Sequence, residues 1–309
     1  MLKILFGVAR LPFLTLTVLC IALAAAGSWY QQGSLSIGLL LLVLLMALAA
    51  HISVNAFNEY FDFRSGLDFL TRRTPFSGGS GTLVAAPQQA QLALWLAIGS
   101  LLLVSAIGLM LSALIDWRLL LLGLPGVLLI YSYTEYINKS PLLCLLAPGI
   151  GFGALMTLGA YWVLTGKPDA LALSLSALLA LLISNLLLLN QFPDIEADRQ
   201  VGRRHLPIVL GPAKAAWVFS ALLLACYLLL GAAVWQDWLP AAALLGLLSL
   251  PLAVRVIRSL QHAINASSRN QSKGQDQLAA ALGHNVLLTH ALPALVLLGL
   301  VLAKLQGVA

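Results

Sequence analysis

Two stretches of this sequence place carboxylate and amide side chains at the end of long apolar segments. The first reads Asn58-Glu-Tyr-Phe-Asp62-Phe-Arg-Ser-Gly-Leu-Asp68, and the second reads Asn190-Gln-Phe-Pro-Asp194-Ile-Glu-Ala-Asp. A membrane-spanning segment has little reason to gather acids without a positive partner, because burying an unpaired charge is unfavourable. Two matching acidic stretches therefore predict a metal cluster that both stretches bind jointly.

Helical spacing gathers the first acidic stretch onto one face of a helix. Because successive residues of an α-helix advance by about 100°, the side chains of His51, Asn55, Asn58 and Asp62 fall within about 60° of one another. Such a polar stripe is expected to face other helices or a cavity, since lipid offers polar groups no partner. The spacing therefore predicts a polar site inside the protein.

Helix-breaking residues lie inside both acidic stretches. Gly66 can end the first helix and allow Asp68 to fold back toward Asp62. In the second stretch, Pro193 is expected to kink or restart the helix, because proline has no backbone N–H to donate. A kink at the mouth of a bundle would aim Asp194 and the following acids inward.

The ligand types in the two stretches indicate a hard cation. The predicted metal ligands are the four motif aspartates, Asp62, Asp68, Asp194 and Asp198. The sequence offers carboxylate and amide oxygens, with no cysteine and no histidine pair at ligand spacing. Mg²⁺ binds one or two carboxylates together with substrate phosphate oxygens, so two separated acidic sites could hold one diphosphate between them. Beside a membrane cavity, a lipid diphosphate suits this arrangement.

Basic residues follow each acidic stretch and would complete an anion site. The predicted diphosphate-binding side chains are Asn58, Asn190, Arg64, Arg73, Arg199, Arg203 and Arg204. Paired arginines followed by a proline occur after both stretches, at 72–75 and 203–207. The alternative is that the acids are solvated loop charges paired with these arginines. The repetition of the whole pattern favours the metal-linked interpretation.

The composition places most of the chain in lipid. Hydrophobic residues make up 61% of the 309 residues and charged residues only 9%, whereas about a quarter are charged in soluble proteins. Nine stretches are long enough to cross a bilayer, at 11–30, 36–61, 90–114, 118–134, 142–164, 170–190, 212–234, 239–259 and 280–303. The expected fold is therefore all-α, with nine transmembrane helices bundled around a central cavity in a single domain over residues 1–309.

The basic residues predict the orientation in the membrane. All lysines and arginines except Arg118, Lys167 and Lys304 lie before the first span, in loops after even-numbered spans, or within a few residues of those loops. By the positive-inside rule, the N-terminus and those loops are cytoplasmic. The net charge of +6 is thus explained by topology, and no nucleic-acid partner is expected. We predict a multi-pass protein of the inner membrane, with a polar connector at 260–279.

The paired motifs closely resemble those of the UbiA superfamily of intramembrane prenyltransferases. The resemblance rests on Asn-x-x-x-Asp at both stretches and on the continuation RQVGRRHLPIVLG at 199–211. The five-residue gap before Asp68 and the stretch GALMTLGAYWVLTG at 153–166 are more similar to the dihydroxynaphthoate prenyltransferases of the menaquinone branch than to the ubiquinone branch. The likeness covers nearly the whole chain.

This resemblance implies a reaction that fits the residue chemistry. Mg²⁺ on the two motifs would help an isoprenyl diphosphate ionise, and the electron-rich carbon of an aromatic, quinone-precursor acceptor would attack the prenyl cation. The family places tyrosines of the fourth helix near the reacting centre, and the matching candidates are Tyr131 and Tyr133. The alternative for these tyrosines is an aromatic belt at the membrane interface.

Some features depart from the family pattern or stay open. Glu135 lies where some members have a lysine, four residues after a tyrosine, which suggests a different acceptor. The segment 75–82 is either a lid over the site or a turn-rich connector. Polar residues within spans could contact the acceptor or could form interhelical hydrogen bonds; these are Ser184, Asn185, His284, Asn285, Thr289 and His290.

We therefore predict an Mg²⁺-dependent prenyltransferase whose partners are an isoprenyl diphosphate, an aromatic acceptor and the lipid bilayer. Two other interpretations remain at this stage. The acceptor could be a non-aromatic alcohol or a porphyrin-type side chain, because the donor site would look the same. Alternatively, the chain could be an ion or anion transporter, although transporters commonly bind near the bilayer midplane rather than at one membrane face.

Overall fold

The computed structural model describes residues 1–74, 76–267 and 271–307, and every regular element in these ranges is helical. Pro75 and Arg269, which the sequence analysis used, lie outside the described residues. The α-helices are α1 (Leu2–Ala9), α2 (Leu14–Gln32), α3 (Ile37–Ser65), α4 (Leu67–Leu70), α5 (Thr82–Ala85), α6 (Ala90–Leu114), α7 (Leu120–Glu135), α8 (Pro141–Gly149), α9 (Leu158–Thr165), α10 (Ala170–Asn190), α11 (Ile195–Gln200), α12 (Leu206–Leu210), α13 (Pro212–Trp235), α14 (Leu250–Ser267) and α15 (Gln271–Leu305). A π-helix (Ile150–Thr157) joins α8 to α9, and a 3₁₀ segment (Ala241–Ser249) leads into α14.

Within the described residues, nine helical segments are long and apolar enough to cross a membrane. They are Leu11–Gln32, Ile37–Ser65, Pro87–Leu114, Trp117–Glu135, Pro141–Thr165, Ala170–Asn190, Pro212–Trp235, Ala241–Ala266 and Ser272–Leu305. Helices are the expected form, because lipid cannot hydrogen-bond backbone groups that a segment leaves unpaired. The predicted all-α fold with nine spans is confirmed, and the protein is a multi-pass membrane protein.

Both predicted helix breaks occur at the acidic stretches. Helix α3 ends at Gly66, whose φ of 82° lies in the left-handed region, and the short helix α4 then begins with Asp68 in its first turn. Helix α10 ends at Asn190, and Asp194 lies at the N-terminal boundary of α11, after Pro193. Each long helix therefore ends at its motif, and the acids that follow lie on the short helices α4 and α11, which contact each other.

The prediction of a polar connector at 260–279 is wrong for the residues that the structure describes. Helix α14 continues to Ser267, and α15 begins at Gln271, so most of this segment is helical. The segment contains no proline, and most of its residues are glutamine, asparagine, serine, alanine, leucine, isoleucine or charged types, with one glycine at Gly274. Such residues form helices when neighbouring helices pack beside them, and α14 packs along α15. Tertiary packing thus outweighs the polar composition.

The centre of the bundle is α10, which packs against α8, the π-helix and α13. Two glycines allow a close approach: a Cβ at Gly149 would overlap the backbone oxygen of Ala180, and one at Gly153 would overlap that of Ser176. Because of these two glycines, the end of α8 and the π-helix lie directly on the backbone of α10. The π-helix begins shortly after Pro148, which cannot donate a backbone hydrogen bond.

This packing gives a stability prediction. Gly153→Ala is expected to destabilise the protein by about 1–3 kcal/mol, because the added methyl group forces α10 and the π-helix apart. Gly99→Ala is the matched control: nothing lies within 4 Å of a Cβ at Gly99, so the change is neutral or stabilising by up to about 1 kcal/mol. Thermal unfolding in detergent measures both variants, and equal midpoints would contradict the close approach.

Candidate active site

An apolar cavity of about 710 Å³ runs through the bundle and reaches both acidic motifs. Its wall includes residues of α3 from Val43 to Asp62, which is about 28 Å at 1.5 Å per residue. The hydrocarbon core of a bilayer is about 30 Å thick. The cavity therefore joins a polar mouth to an apolar interior that extends most of the way across the membrane.

All four predicted metal ligands lie at the polar mouth. Asp62, Asp68, Asp194 and Asp198 line the cavity, and three of them are buried, with exposed fractions of 6% for Asp62, 4% for Asp68 and 3% for Asp198. The side chain of Asp194 is partly buried. The structure thus brings together carboxylates from two motifs that are far apart in the sequence.

Arg203 joins the two motifs. Its guanidinium donates to Oδ1 of Asp62 and, at 2.9 Å, to Oδ1 of Asp198. The two carboxylates raise the pKa of Arg203, although burial acts in the opposite direction and is the larger single influence. Asp62 also accepts from Asn58 at 3.0 Å, and Oδ2 of Asp198 lies 2.6 Å from Nε2 of His205. Both oxygens of Asp62 and of Asp198 are therefore engaged by protein groups.

Three other motif residues each keep one unpaired side-chain oxygen, although Asp194 also accepts from the Ser77 side chain and the Gly78 backbone. Oδ2 of Asp68, Oδ1 of Asp194 and Oδ1 of Asn190 are buried without a hydrogen-bond partner. Burial, together with repulsion from Glu59 and Asp62, raises the pKa of Asp68 to about 7. Burial and repulsion from Asp198 raise the pKa of Asp194 to about 7. These are carboxylates without sufficient positive charge nearby, which is the environment that a bound cation would relieve.

The joint metal cluster that the sequence predicts at these residues stays a prediction. Among the described residues, no group of three or more His, Cys, Asp or Glu side chains is arranged to hold a metal ion by itself. Arg203 lies between the two motifs and pairs with Asp62 of one and Asp198 of the other. The unpaired oxygens still fit a hard cation that takes its remaining ligands from a diphosphate.

The raised pKa values give a prediction for the metal-free protein. The carboxyls of Asp68 and Asp194 titrate with a pKa of about 7 in the fold, against 3.8 for the unperturbed group. Between these values the folded state holds more protons than the unfolded state, so stability is lost as the pH rises from about 4 to about 7. The double variant Asp68→Asn with Asp194→Asn should therefore lose less stability over this pH range, by on the order of 1 kcal/mol of unfolding free energy per carboxyl.

Thermal unfolding in detergent with EDTA tests this prediction at several pH values. All other titrating groups are the same in the wild type and the double variant, so the difference between them reports on these two carboxyls. If the midpoints of both proteins fell equally as the pH rises, the prediction would be contradicted.

The predicted arginines divide into two groups. Arg203 lines the cavity, whereas Arg64, Arg73, Arg199 and Arg204 are exposed and lie outside its wall. Arg64 donates to the Tyr60 hydroxyl at 3.3 Å, and Arg199 pairs with Glu196 at 3.3 Å on the surface. Arg73 still acts on the site, because its charge lowers the pKa of Asp68. The structure therefore brings one of the five arginines into the mouth.

The two predicted tyrosines lie on opposite sides of α7. Tyr133 lines the cavity, but Tyr131 is 47% exposed and packs its ring against Phe57 and Phe61 outside it. Residues two apart on a helix differ by about 200°, so both could not face one cavity. The placement of Tyr131 at the reacting centre is therefore corrected, and it lines a separate surface cleft with Glu135.

Sequence reasoning missed a network that fixes the mouth. Arg10 donates to Oε1 of Glu59 at 2.8 and 2.6 Å and to Oδ1 of Asn58 at 3.1 Å. Glu59 is fully buried, and it also accepts from the backbone N–H of Ser80 at 2.7 Å and from its hydroxyl at 2.8 Å. In the sequence, the features that could have indicated this network are Glu59, an additional acid next to Asn58, and Arg10, an arginine just before the first span.

This network holds the segment after α4 against the site. Phe76, Ser77, Gly78 and Gly79 line the cavity, and both glycines have a positive φ, of 83° and 73°. A side chain at Gly79 would meet the carboxylate of Asp68. The segment predicted as a lid or a connector therefore forms part of the cavity wall.

The polar residues within spans have mixed positions. Of the six that the sequence singled out, His290 lines the cavity, and the other five are absent from its wall. Asn185 is fully buried and donates to the backbone oxygen of Phe219 at 3.0 Å, which is an interhelical hydrogen bond. His205, which the sequence analysis did not single out, lines the mouth beside Asp198.

The charged mouth opens into a long apolar cavity. This arrangement in a helical membrane protein suits the binding of an amphiphile with an anionic head group. The chain belongs to the UbiA prenyltransferase family, whose model matches residues 9–273. The predicted family is thus confirmed.

Known proteins similar to this chain agree with the family. It is 30% identical over 196 residues to the 1,4-dihydroxy-2-naphthoate octaprenyltransferase of Bacillus subtilis (strain 168). That alignment covers 62% of this chain and 60% of the Bacillus enzyme, which is less than two thirds of its length. The predicted resemblance to dihydroxynaphthoate prenyltransferases is confirmed by this relative.

Solved structures share the fold at low sequence identity. A digeranylgeranylglyceryl phosphate synthase superposes with a TM-score of 0.65 at 17% identity, covering 97% of this chain and 98% of that chain. A UbiA homolog from Archaeoglobus fulgidus, bound to DMAPP and Mg²⁺, superposes with a TM-score of 0.60 at 16% identity, covering 92% and 98%. At these identities the likeness establishes the fold.

Proposed function

We propose that this protein is an Mg²⁺-dependent prenyltransferase that moves the prenyl group of an isoprenyl diphosphate to an aromatic acceptor of the quinone-precursor type. The observation that carries the proposal is the set of unpaired buried oxygens beside Arg203, at the mouth of a long apolar cavity. The head of a prenyl diphosphate needs cations and donors, and its tail needs an apolar channel. The Archaeoglobus homolog, described as bound to DMAPP and Mg²⁺, supports this choice.

The residues at the mouth would hold Mg²⁺ and the diphosphate together. Asp68, Asp194 and Asn190 offer free oxygens to the metal. Asp62 and Asp198 would become available if Arg203 turned its donors from these carboxylates to diphosphate oxygens, which a planar guanidinium can also bind through two parallel hydrogen bonds. When bound, Mg²⁺ would stabilise the negative charge that develops on the diphosphate as the allylic carbon–oxygen bond breaks.

The remaining residues would protect and direct the prenyl cation. The apolar wall keeps water away from it, and low polarity strengthens the electrostatic pull of the mouth. The ring of Tyr133 lines the same cavity and can shield the cation with its π face. Once the allylic carbon–oxygen bond has broken and the diphosphate has left, an electron-rich ring carbon of the acceptor forms a bond to the prenyl cation. That ring carbon then loses its proton to the released diphosphate, or its carboxyl group as CO₂, which restores the aromatic ring.

The acceptor class and the cellular location are also part of the proposal. An aromatic acceptor is supported by the name of the Bacillus relative, a dihydroxynaphthoate octaprenyltransferase. The distribution of lysines and arginines supports an orientation in the inner membrane with the N-terminus and the mouth on the cytoplasmic side. We also propose that the chain forms a single domain.

A direct assay tests the proposed function. Purified protein is incubated with labelled geranylgeranyl diphosphate, with Mg²⁺ or EDTA, and with 1,4-dihydroxy-2-naphthoate, 4-hydroxybenzoate, a glycerol phosphate acceptor or haem. We expect a prenylated product from an aromatic acceptor, formed only with Mg²⁺. A product from the glycerol acceptor or haem alone would contradict the acceptor class, and no product with any acceptor would contradict the enzyme class.

A further inference from the structure

The apolar part of the cavity contains few polar side chains, and nearly all of their hydrogen-bonding groups are used. Ser105 and Ser112 donate to carbonyl oxygens of their own helix, at 2.9 and 2.7 Å. His290 uses one ring nitrogen with the Val286 carbonyl oxygen at 2.9 Å and the other with Thr15 at 3.0 Å. The polar groups of these three residues are therefore hydrogen-bonded within the protein.

His51 is the exception among the described residues of this wall. Its Nδ1 lies 2.7 Å from the hydroxyl of Thr17, and its ring packs edge-on against Phe152, with centroids 4.9 Å apart. These contacts fix the ring orientation. The second nitrogen, Nε2, has no hydrogen-bond partner. It is also not fully buried, so part of its surface is accessible. Because the residue lines the cavity and keeps 7% exposure, Nε2 is reachable from the cavity.

The position of His51 along α3 fits a reactant that lies below the diphosphate. Seven residues separate it from Asn58, which corresponds to about 10 Å along the helix. Asn55 lies between them on the same stripe, and its amide nitrogen is held by the carbonyl oxygen of Ala9 at 2.9 Å, so its amide oxygen remains available. The stripe therefore continues from the charged mouth into the apolar cavity.

We propose that Nε2 of His51 hydrogen-bonds a ring hydroxyl of the aromatic acceptor, with the amide oxygen of Asn55 beside it. The inference rests on the proposed function. A prenyl tail carries no polar atoms and the diphosphate is held at the mouth, so the acceptor is the reactant that brings a hydroxyl to this depth. A neutral imidazole nitrogen can donate or accept, and a buried polar group is costly to leave unpaired. The site would then select hydroxylated aromatic rings.

Steady-state kinetics of three variants test this role. With dihydroxynaphthoate as the acceptor, His51→Leu should raise the acceptor KM about ten- to hundredfold, while the KM for geranylgeranyl diphosphate changes less than about twofold. His51→Gln, which keeps a hydrogen-bonding amide near the position of Nε2, should recover part of the loss. Ser105→Ala is the matched control, because its hydroxyl lines the same cavity but bonds its own helix.

Acceptor analogues change the substrate instead of the protein, so their effect on the wild type does not depend on whether a variant folds. Versions of the naphthoate in which either ring hydroxyl is replaced by methoxy should bind the wild type poorly. The penalty for one of them should largely disappear in His51→Leu and should become smaller in His51→Gln. If His51→Leu does not fold, the Gln variant and the analogues carry the comparison.

The outcomes separate this inference from the proposed function. Product formation with unaltered acceptor kinetics in the His51 variants would overturn the inference alone. A raised KM for the diphosphate, or a changed preference for prenyl chain length, would also overturn it and place His51 on the path of the tail. Absence of product from the wild type with every acceptor would overturn the proposed function and this inference with it.

Discussion

Asp194→Asn is expected to reduce prenyl transfer by at least about a hundredfold, whereas Glu196→Gln should leave the rate within about twofold of the wild type. The carboxyl of Asp194 lines the cavity and has a buried, unpaired oxygen. The side chain of Glu196 is 76% exposed and pairs with Arg199 on the surface. The two acids are two residues apart on the same short segment, so the comparison isolates the contribution of the cavity-facing charge.

The same reasoning extends to the other three motif acids. Asp62→Ala, Asp68→Ala and Asp198→Ala should each largely abolish turnover, as should Asp194→Ala. Rates are measured with saturating diphosphate over a range of Mg²⁺ concentrations, with the thermal midpoint of each variant as the folding control. Folded variants that keep metal-independent activity would contradict the assignment of Mg²⁺ to these residues.

The second large effect concerns two adjacent arginines. Arg203→Leu is expected to destabilise the metal-free protein by about 3 kcal/mol, because it leaves two buried carboxylates without their shared cation. All three side chains are largely buried, with side-chain exposed fractions of 16% for Arg203, 8% for Asp62 and 4% for Asp198. Arg204→Leu should change stability by less than about 0.5 kcal/mol, since the Arg204 side chain is exposed and its described hydrogen bond uses the backbone N–H.

Magnesium distinguishes a lost ion pair from general misfolding. Adding Mg²⁺ should restore part of the thermal midpoint of the Arg203 variant, because a cation between the motifs replaces the missing guanidinium. The midpoint of the Arg204 variant should respond to Mg²⁺ as the wild type does. Equal midpoints for the two variants in EDTA would show that Arg203 is not the electrostatic link between the motifs. Prenyl transfer should be lost in the Arg203 variant alone.

Much of the fold follows from the sequence, because lipid leaves a long apolar segment few alternatives to a helix. The nine spans and the breaks at Gly66 and after Pro193 are set by local composition and backbone chemistry. The prediction of a connector at 260–279 is wrong for its described residues, because the packing of α14 along α15, and not their polar composition, decides their structure. Helical spacing alone could have separated Tyr131 from Tyr133, since two residues correspond to about 200°.

The candidate site required the tertiary structure. Spacing within one helix identifies neighbours on that helix, and it predicted the stripe of α3 and the four aspartates. It could not choose between Arg203 and Arg204, because that choice depends on how the chain after α11 returns toward a carboxylate 141 positions away. Nor could it show that Arg10, Glu59 and Ser80 meet. Sequence therefore determined the helices and the ligand types, and packing between helices determined which charges face each other, since that depends on contacts distant in the chain.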